Sequence, residues 1–306
     1  MATKEIAQTT KIEVLKNKRP ISFGKIFANF TLVFVAVITF IPALWMFIAP
    51  SKNRAQLIKL DPLQFGTFQS YLTRWRNLLL FDNQALLRWI ENSFWYTLAI
   101  VSISAITALL GGFALAATNL KFKKQLLTLV LIAMIIPQVA LVMPMFIWVN
   151  KLGLTDTELG LILASSFYPF GVFLSYIHFT TVIPKELYEA ARIDGCGYWK
   201  VFFQVALPIS KTLAATISFF AFVGTWNNFF LPQVFMLSGE KQPLASGLTI
   251  LFTNTPAFSG NSSAILPIER SEIALSAIIM TLPIIVLFLV SQRFLSRGML
   301  AGSVKN

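Results

Sequence analysis

The stretch Glu186–Pro208, ELYEAARIDGCGYWKVFFQVALP, decides how the rest of the chain is interpreted. It places three acids and two alanines ahead of Gly195, and an apolar segment follows that ends at Pro208. Long uncharged stretches lie on both sides of it. The pattern therefore predicts a structured, water-exposed connector in a chain that otherwise lies in lipid. We expect such a connector to be a docking surface.

The chain as a whole has the composition of a membrane protein. Of its 306 residues, 56% are hydrophobic and 12% are charged, against about 25% charged in soluble domains. Six uncharged stretches can each hold the roughly 20 apolar residues that cross a bilayer. They are Ile26–Ser51, Asn92–Leu120, Gln125–Asn150, Leu159–Pro184, Thr212–Gly239 and Ile273–Gln292.

A seventh uncharged stretch, Gln242–Ile268, is broken by three prolines. One lipid-exposed helix with this sequence would leave backbone groups unsatisfied. We expect it to form a structured loop outside the membrane or lining a cavity. The predicted fold class is therefore all-α, a polytopic membrane protein with six transmembrane helices.

The charged residues predict how this bundle is oriented. Six spans put both termini on one side, and the segments on that side carry 16 Lys and Arg against 5 acids. The segments on the other side carry 9 against 8. Basic residues concentrate on the cytoplasmic side of membrane proteins, so both termini are expected to be cytoplasmic. The net charge of +12 is then a topology signal and does not indicate nucleic acid.

These spans divide the chain into five predicted regions. Residues 1–25 form a cytoplasmic basic tail, and 26–51 form the first transmembrane helix, an uncleaved anchor. Residues 52–91 form an extracytoplasmic segment with amphipathic helices at the membrane interface. Residues 92–295 form the membrane core, which contains the connector at 184–208, and 296–306 form a cytoplasmic tail.

Several kinds of chemistry have no residues to support them. The chain has one cysteine, Cys196, and one histidine, His178, so no metal site is expected. His178 is interpreted as a hydrogen-bonded interface residue in preference to a proton relay. No glycine-rich phosphate loop of the GxxxxGK[ST] type occurs, so energy would come from a partner or from an ion gradient.

The connector itself has the pattern of two short helices. Pro184 suits a first helical turn, and Glu186 and Glu189 lie near that end, where the helix dipole favours negative charge. Gly195 is suited to end the first helix. The second helix is predicted to carry a one-sided apolar stripe at helical spacing, made of Trp199, Phe202, Phe203 and Ala206.

The connector resembles the EAA loop of bacterial ABC importer permeases. Glu189-Ala190-Ala191, then Gly195 after three residues, then Val205-Ala206-Leu207-Pro208 after nine more, fit every spacing of that motif. The resemblance extends over roughly 68–297 and is closest to the carbohydrate branch, in particular the second permease of maltose- and multiple-sugar-type importers. The W-N-(D/E)-F-x-x-P signature of that branch is matched at 226–232, with Asn228 in place of the acid.

The resemblance implies a fold, a location and a set of partners. The fold is that of type I ABC importer permeases, in the prokaryotic inner membrane. The subunit is non-catalytic and carries no cofactor, because two partner ATPases bind ATP and Mg. Further implied partners are a second homologous permease, an extracytoplasmic solute-binding protein, a sugar (an oligosaccharide in particular) and membrane lipid. The implied ATPase-coupling residues are Glu189, Ala190, Ala191, Asp194 and Gly195.

A substrate pathway is predicted around the fifth span. Adjacent amides near the bilayer centre are costly unless they face a cavity or a neighbouring helix, and a sugar offers hydroxyls to amides and a ring face to an aromatic side chain. The pathway residues are expected to be Trp226, Asn227, Asn228, Phe229 and Gln138, with Ser166 or Tyr168 as weaker candidates. Hydrogen bonding between helices is an equally good explanation of the amides.

Other functions stay open at this point. An importer of another polar solute, such as a glycerol phosphate ester, would share the same connector. A self-sufficient secondary transporter would need embedded charges or a repeat between halves, and a membrane-embedded enzyme would need clustered histidines or carboxylates.

Overall fold

The computed structural model describes residues 23–253 and 268–301, with side chains described over 24–253 and 268–292. Most of the predicted basic tail at 1–25, most of the tail at 296–306 and the second half of the 242–268 loop lie outside these residues. The described chain is helical. Its helices are α1 (Phe23–Ile48), α2 (Arg54–Lys59), α3 (Phe68–Leu80), α4 (Ala85–Ala117), α5 (Lys123–Ile135), α6 (Gln138–Lys151), α7 (Glu158–Ser165), α8 (Pro169–Thr181), α9 (Lys185–Ile193), α10 (Tyr198–Ile209), α11 (Lys211–Trp226), α12 (Phe230–Phe235), α13 (Leu244–Thr253) and α14 (Arg270–Ala301).

Three helices in the described ranges are long and apolar enough to cross a membrane without a break. They are α1, α4 and α14. Three further helix pairs pass the same test only as bent spans: α5 with α6 at 108°, α7 with α8 at 42°, and α10 with α11 at 82°. The bundle therefore has between three and six spans by length and composition. The third, fourth and fifth predicted stretches are not the continuous helices that their lack of charge suggested.

The 33-residue helix α4 joins two ends of the molecule with different contents. Around its first turns lie the chain segments at 49–80, 152–157 and 236–246, which we call the clamp end. Around its last turns lie the short turn before α5 and the connector helices α9 and α10, which we call the connector end. The sequence predicted that the second span begins at Asn92. Helix α4 begins at Ala85 instead, so it includes Arg88 and Glu91 from the predicted extracytoplasmic segment.

Aromatic packing holds the connector end together. The ring of Phe113 on α4 lies 5.7 Å from Phe179, 6.0 Å from Tyr188 and 5.1 Å from Phe202. All four rings are buried, and they come from α4, α8, α9 and α10. The connector is thus fixed to the membrane helices by a core of its own.

The contact between α4 and α8 depends on small residues. Ala108 and Gly112 on α4 face Gly171 and Ser175 on α8, and each pair is four residues apart. A Cβ atom added at Gly112 would stand 2.2 Å from the Ser175 Cβ, and one at Gly171 would stand 2.9 Å from the Ala108 Cβ. Small residues at this spacing let membrane helices approach closely.

Hydrogen bonds tie the clamp end to the start of α4. The Trp89 indole donates to the Gly239 carbonyl at 2.8 Å, and the Asn92 amide donates to the Glu240 and Gln242 carbonyls at 2.8 and 3.0 Å. Helix α13 continues this segment. Its Gly247 lies against the Trp89 ring, and a Cβ atom added at Gly247 would stand 2.2 Å from that ring. The first part of the predicted 242–268 loop is therefore a helix buried inside the protein.

Charged groups are buried at the clamp end. Glu272, in the first turn of α14, is fully buried and accepts hydrogen bonds from Arg74 at 2.7 Å and Asn77 at 2.8 Å. The Lys52 ammonium is also buried and donates to the Asp61 carbonyl at 2.6 Å and the Pro62 carbonyl at 3.1 Å. The bonds to Glu272 fix α3 onto α14, and the Ser271 hydroxyl of α14, which donates to the Lys52 carbonyl at 2.8 Å, fixes the segment after α1 onto the same helix.

Candidate functional site

Helix α9 of the connector ends in the way that its glycine predicts. Gly195 has φ +80°, a left-handed conformation that glycine adopts without steric cost. Its N–H donates to the Arg192 carbonyl at 3.0 Å, and the Cys196 N–H donates to the Ala191 carbonyl at 3.0 Å. This pair of bonds is the Schellman motif, which satisfies the last carbonyls of a helix.

The two faces of α9 have different surroundings. Tyr188 is buried against the aromatic core and donates to the Phe179 carbonyl at 3.2 Å. Four of the predicted coupling residues are exposed: Glu189, Ala190, Asp194 and Gly195. The fifth, Ala191, is half-buried and packs against the same core as Tyr188.

The exposed surface of α9 has no partner within the described chain. Neither Glu189 nor Asp194 forms an ion pair with any residue that the structure describes. A Cβ added at Gly195 would meet no atom within 4 Å, and the same holds at Gly197. Another protein can therefore approach the end of α9 closely.

The apolar residues of the second connector helix have different surroundings. Phe202 and Ala206 are buried, whereas Trp199 is 67% and Phe203 55% exposed, and the rings of the latter two stack at 6.2 Å. The helix contains a π-helical segment at 202–206, where the Leu207 N–H donates to the Phe202 carbonyl five residues back.

His178 has the place that the sequence interpretation gave it. Its Nε2 lies 3.1 Å from the Ser210 hydroxyl, at the junction of α10 and α11, and its side chain is half-buried. The residue therefore joins α8 to the start of α11.

An open cavity of about 210 Å³ lies between the helices, and Val139 and Phe167 in its wall are 65% and 67% exposed. Residues of three helix breaks line it: the break between α5 and α6, the break between α7 and α8, and the break between α11 and α12. Its lining contains Ser104, Ala133, Ile136, Gln138, Val139, Leu141, Val142, Met145, Ala164, Ser165, Phe167, Tyr168, Pro169, Phe220, Ala221, Gly224, Thr225, Asn228, Phe230 and Leu231.

Two of the predicted pathway residues meet in this cavity. Gln138 lies at the start of α6, and Asn228 lies in the break after α11, where its Oδ1 accepts from the Leu231 N–H at 3.3 Å. Tyr168, a weaker candidate, also lines the cavity. Ser166 does not line the cavity, and its hydroxyl donates to the Ile162 carbonyl at 2.6 Å.

The other three pathway candidates lie outside the cavity lining. Trp226 is buried, and its indole donates to the Met280 carbonyl on α14 at 2.9 Å. The Asn227 amide donates to the Val223 carbonyl of its own helix at 3.0 Å, and Phe229 is 48% exposed. Trp226 therefore forms a contact between α11 and α14 and does not line the cavity.

Sequence reasoning missed several residues of the cavity wall. Ser104, Ser165, Gly224 and Thr225 line it, and none belongs to a recognisable motif. One sequence feature could have indicated the helix break beside the cavity. Pro169 lies in the middle of the fourth uncharged stretch, and a proline interrupts the helix that precedes it. The lining contains no Asp, Glu, Lys, Arg or His. Among the described residues, no cluster of three metal-ligating side chains occurs.

Comparison with known proteins agrees with the connector motif. Residues 108–301 match the family described as binding-protein-dependent transport system inner membrane component. The chain is 32% identical to the arabinooligosaccharides transport system permease protein AraQ of Halalkalibacterium halodurans, over 89% of this chain and 93% of AraQ. It is 30% identical to protein LplC of Bacillus subtilis, over 92% and 96%.

A solved structure has the same fold. It is a chain from the crystal structure of a bacterial ABC transporter involved in the import of the acidic polysaccharide alginate. The TM-score is 0.74 at 21% identity, covering 90% of this chain and 99% of that one. The resemblance carried by Glu189–Pro208 is thereby confirmed, and the chain belongs to the binding-protein-dependent transport system inner membrane component family, the permeases of ABC importers.

Proposed function

We propose that this permease is a membrane subunit of an ATP-driven importer for an uncharged sugar, with oligosaccharides as the foremost class. The observation that carries the coupling role is the exposed end of α9. Its acids have no ion-pair partner in the described chain, while Tyr188 and Phe113 fix the same helix to the membrane bundle. A movement imposed on α9 is therefore transmitted to α4 and α8.

The proposed topology has six spans with both termini cytoplasmic. The bent pairs α5 with α6 and α7 with α8 then count as one span each, and α11 begins the fifth span. Helix α10 belongs to the coupling loop at 184–208, and the regions keep the bounds 1–25, 26–51, 52–91, 92–295 and 296–306. The location of α9 at the end of α4 opposite the clamp supports this topology. Lys121, Lys123 and Lys124 lie at that same end, on the side that the positive-inside rule makes cytoplasmic.

The proposed partners follow from this arrangement. Two ATP-binding subunits, which carry the ATP and Mg, engage α9 of this chain and the corresponding helix of a second, homologous permease. ATP binding closes the two subunits, the paired coupling helices move together, and the bundle opens outward. An extracytoplasmic solute-binding protein delivers the sugar to the clamp end. Glu189, Ala190, Ala191, Asp194 and Gly195 carry the coupling contact.

Two observations support a sugar as the transported solute. Relatives are named for arabinooligosaccharides, for lactose in Rhizobium radiobacter and for melibiose, raffinose and stachyose in Bacillus subtilis. The cavity that Gln138 and Asn228 share is lined by neutral side chains alone, which does not suit a glycerol phosphate ester. Three further residues remain proposed members of the substrate pathway, although they do not line this cavity: Trp226, Asn227 and Phe229.

Substitutions at the end of α9 test the coupling role. Gly195→Trp adds a bulky side chain where no atom of this chain is near, so we expect it to block the ATPase and uncouple uptake from ATP hydrolysis. Gly195→Asn tolerates the left-handed conformation and should retain most uptake. Gly197→Trp is the control for the added bulk, since its Cβ also meets nothing within 4 Å. Its φ is −70°, so the control for the left-handed backbone is Gly195→Asn. Intact assembly and uptake in Gly195→Trp would contradict the assignment.

Reconstitution tests the solute class. The complex is purified with its binding protein, placed in liposomes and given lactose, raffinose, arabinotriose and glycerol 3-phosphate in turn. The proposal expects at least one neutral sugar to stimulate ATP hydrolysis and to accumulate. Stimulation by glycerol 3-phosphate alone would contradict it.

A further inference from the structure

Helix α10 runs along the boundary of the membrane bundle. It meets α11, which begins the fifth span of the proposed topology, at a bend of 82°. Because membrane spans are tilted by about 20° on average, α10 lies within roughly 30° of the membrane plane. At 1.5 Å per residue it extends about 18 Å along that plane. A helix in this position can lie among the lipid headgroups with one of its faces.

Two aromatic side chains of α10 form an exposed apolar surface, which we call the ring pair. Trp199 and Phe203 lie one turn apart and are exposed, and the angle between their stacked rings is 16°. The Phe203 ring also lies 5.0 Å from the ring of Phe202, which is buried against Phe113 of α4. The ring pair therefore continues the core of the membrane helices out to the protein surface.

The charged residues beside the ring pair are all basic. Residues 195–211 contain Lys200 and Lys211 and no acid. Both lysines are exposed, and neither forms an ion pair with a residue that the structure describes. Helix α9 and its cap, by contrast, contain three acids and two bases. The surface of α10 is therefore complementary to an anionic partner, whereas that of α9 is not.

An anionic phospholipid matches both features of α10. Tryptophan is enriched at membrane–water interfaces, where its ring sits at the level of the headgroups. Helices that lie in the interface combine such rings with lysines on the polar face. The anionic lipids of the cytoplasmic leaflet attract lysines that lie near the membrane surface. Rings and lysines side by side at the end of a span thus fit a lipid with a negative headgroup.

We propose that α10 is an interfacial helix that binds anionic phospholipid of the cytoplasmic leaflet. The ring pair lies at the level of the headgroups and the first acyl carbons, and Lys200 and Lys211 contact the headgroup phosphates. The inference rests on the proposed function, which places the connector end in the cytoplasm. Each lysine near the surface enriches anionic lipid about fivefold, so the two together select it over a zwitterionic lipid.

A fluorescent reporter in place of the Phe203 ring tests this contact in the complete complex. Phe203→Cys is introduced in a Cys196→Ala background, which removes the single native cysteine, and is labelled with a small aromatic fluorophore. The complex is placed in phosphatidylcholine vesicles that contain an equal, small fraction of either brominated phosphatidylglycerol or brominated phosphatidylcholine. Bromine on the acyl chains quenches only fluorophores that the lipid touches, so the signal reports on this site alone.

We expect brominated phosphatidylglycerol to quench the reporter at least threefold more efficiently than brominated phosphatidylcholine. Adding Lys200→Gln and Lys211→Gln together should bring the ratio of the two close to one. Lys59→Gln is the control for loss of a lysine, because Lys59 is exposed on α2 at the clamp end, and it should leave the ratio unchanged.

Two further reporters separate the face of α10 from the helix as a whole. Trp199→Cys, labelled in the same way, is an independent reporter on the other member of the ring pair and should give the same preference. Gln204→Cys lies next to Phe203 in the chain, one turn from Lys200, and is also exposed. Because it lies on the polar side of the helix, its label should be quenched at least threefold less by either lipid.

The outcomes distinguish lipid from protein at this surface. If neither brominated lipid quenched the Phe203 and Trp199 reporters, another subunit would cover α10 and the proposal would be overturned. Equal quenching by the two lipids would overturn the binding of an anionic headgroup. Sugar uptake, measured in the same vesicles, tests the proposed function separately. A wild-type complex without uptake would overturn the importer function, and a preference for phosphatidylglycerol at the reporters would still support the lipid contact.

Discussion

Glu272 and Glu189 are both acids near the start or middle of a helix, yet their surroundings are opposite. Glu272 at the clamp end is fully buried and bonded to Arg74 and Asn77. Glu189 at the connector end is exposed and has no ion-pair partner among the described residues. The clamp end satisfies its charges within the chain, and the connector end leaves them for another protein.

Substitutions at the two ends should therefore affect different properties, namely the stability of the fold at the clamp end and the coupling to the ATPase at the connector end. Loss of one partner of a buried ion pair is strongly destabilising, because the other charge stays buried without compensation. Loss of an exposed charge has little effect on folding. We therefore expect the loss of stability on substitution to decrease from the clamp end to the connector end.

The largest effect is expected for Arg74→Met at the clamp end. It leaves Glu272 buried without its closest cation, at a cost of about 3–5 kcal/mol. The temperature at which the detergent-purified protein loses its monodisperse peak should fall by several degrees. Arg76→Met is the control, because Arg76 is exposed on the same helix. Equal Tm values for the two variants would show that the buried pair contributes nothing.

A smaller loss is expected where α13 packs on α4. Gly247→Ala places a Cβ 2.2 Å from the Trp89 ring, and such overpacking typically costs about 1–3 kcal/mol. Gly239→Ala adds the same methyl group where nothing lies within 4 Å and should leave Tm unchanged. A stability ranking with Gly239→Ala below Gly247→Ala would contradict this packing.

A still smaller effect is expected for Asp156, in the loop before α7. Hydrogen bonds from Ser238, supported by Lys241, lower the pKa of its carboxyl from 3.8 to about 2. A group with a lowered folded-state pKa contributes stability above its unfolded value and loses it as the pH falls towards the folded value. Tm of the wild type should therefore exceed that of Asp156→Asn at pH 6, and the gap should narrow below pH 4 and close near pH 2. A gap that stays constant from pH 6 to pH 2 would contradict the bonded carboxylate.

The connector was the part of the molecule most readable from the sequence. Gly195 predicted the end of α9 because few residues other than glycine adopt a φ of +80° at low cost. Glu186 and Glu189 predicted an exposed helix because both lie in or near its first turns. The sequence did not show which residues of the stripe are buried, nor that a π-helical turn lies at 202–206, because both depend on packing partners that a periodic pattern does not contain.

The cavity was only partly predictable. Pro137 and Pro169 lie at helix breaks, whereas Pro144 and Pro283 lie inside continuous helices, so proline alone did not distinguish a break from a kink. The break at 227–229 has no proline at all. Helix α11 is apolar on every side, so the sequence did not show that Trp226 faces α14 while Thr225 faces the cavity.

The most direct test of the account is the substitution of Glu189 by lysine in the complete complex. We predict that Glu189→Lys leaves Tm of the purified permease within about 1 °C of the wild type, because an exposed charge contributes little to folding. The amount of ATP-binding subunit that co-purifies should fall at least tenfold, and sugar uptake should fall with it. Retention of both the ATP-binding subunit and uptake in Glu189→Lys would contradict the claim that α9 couples this permease to its ATPase.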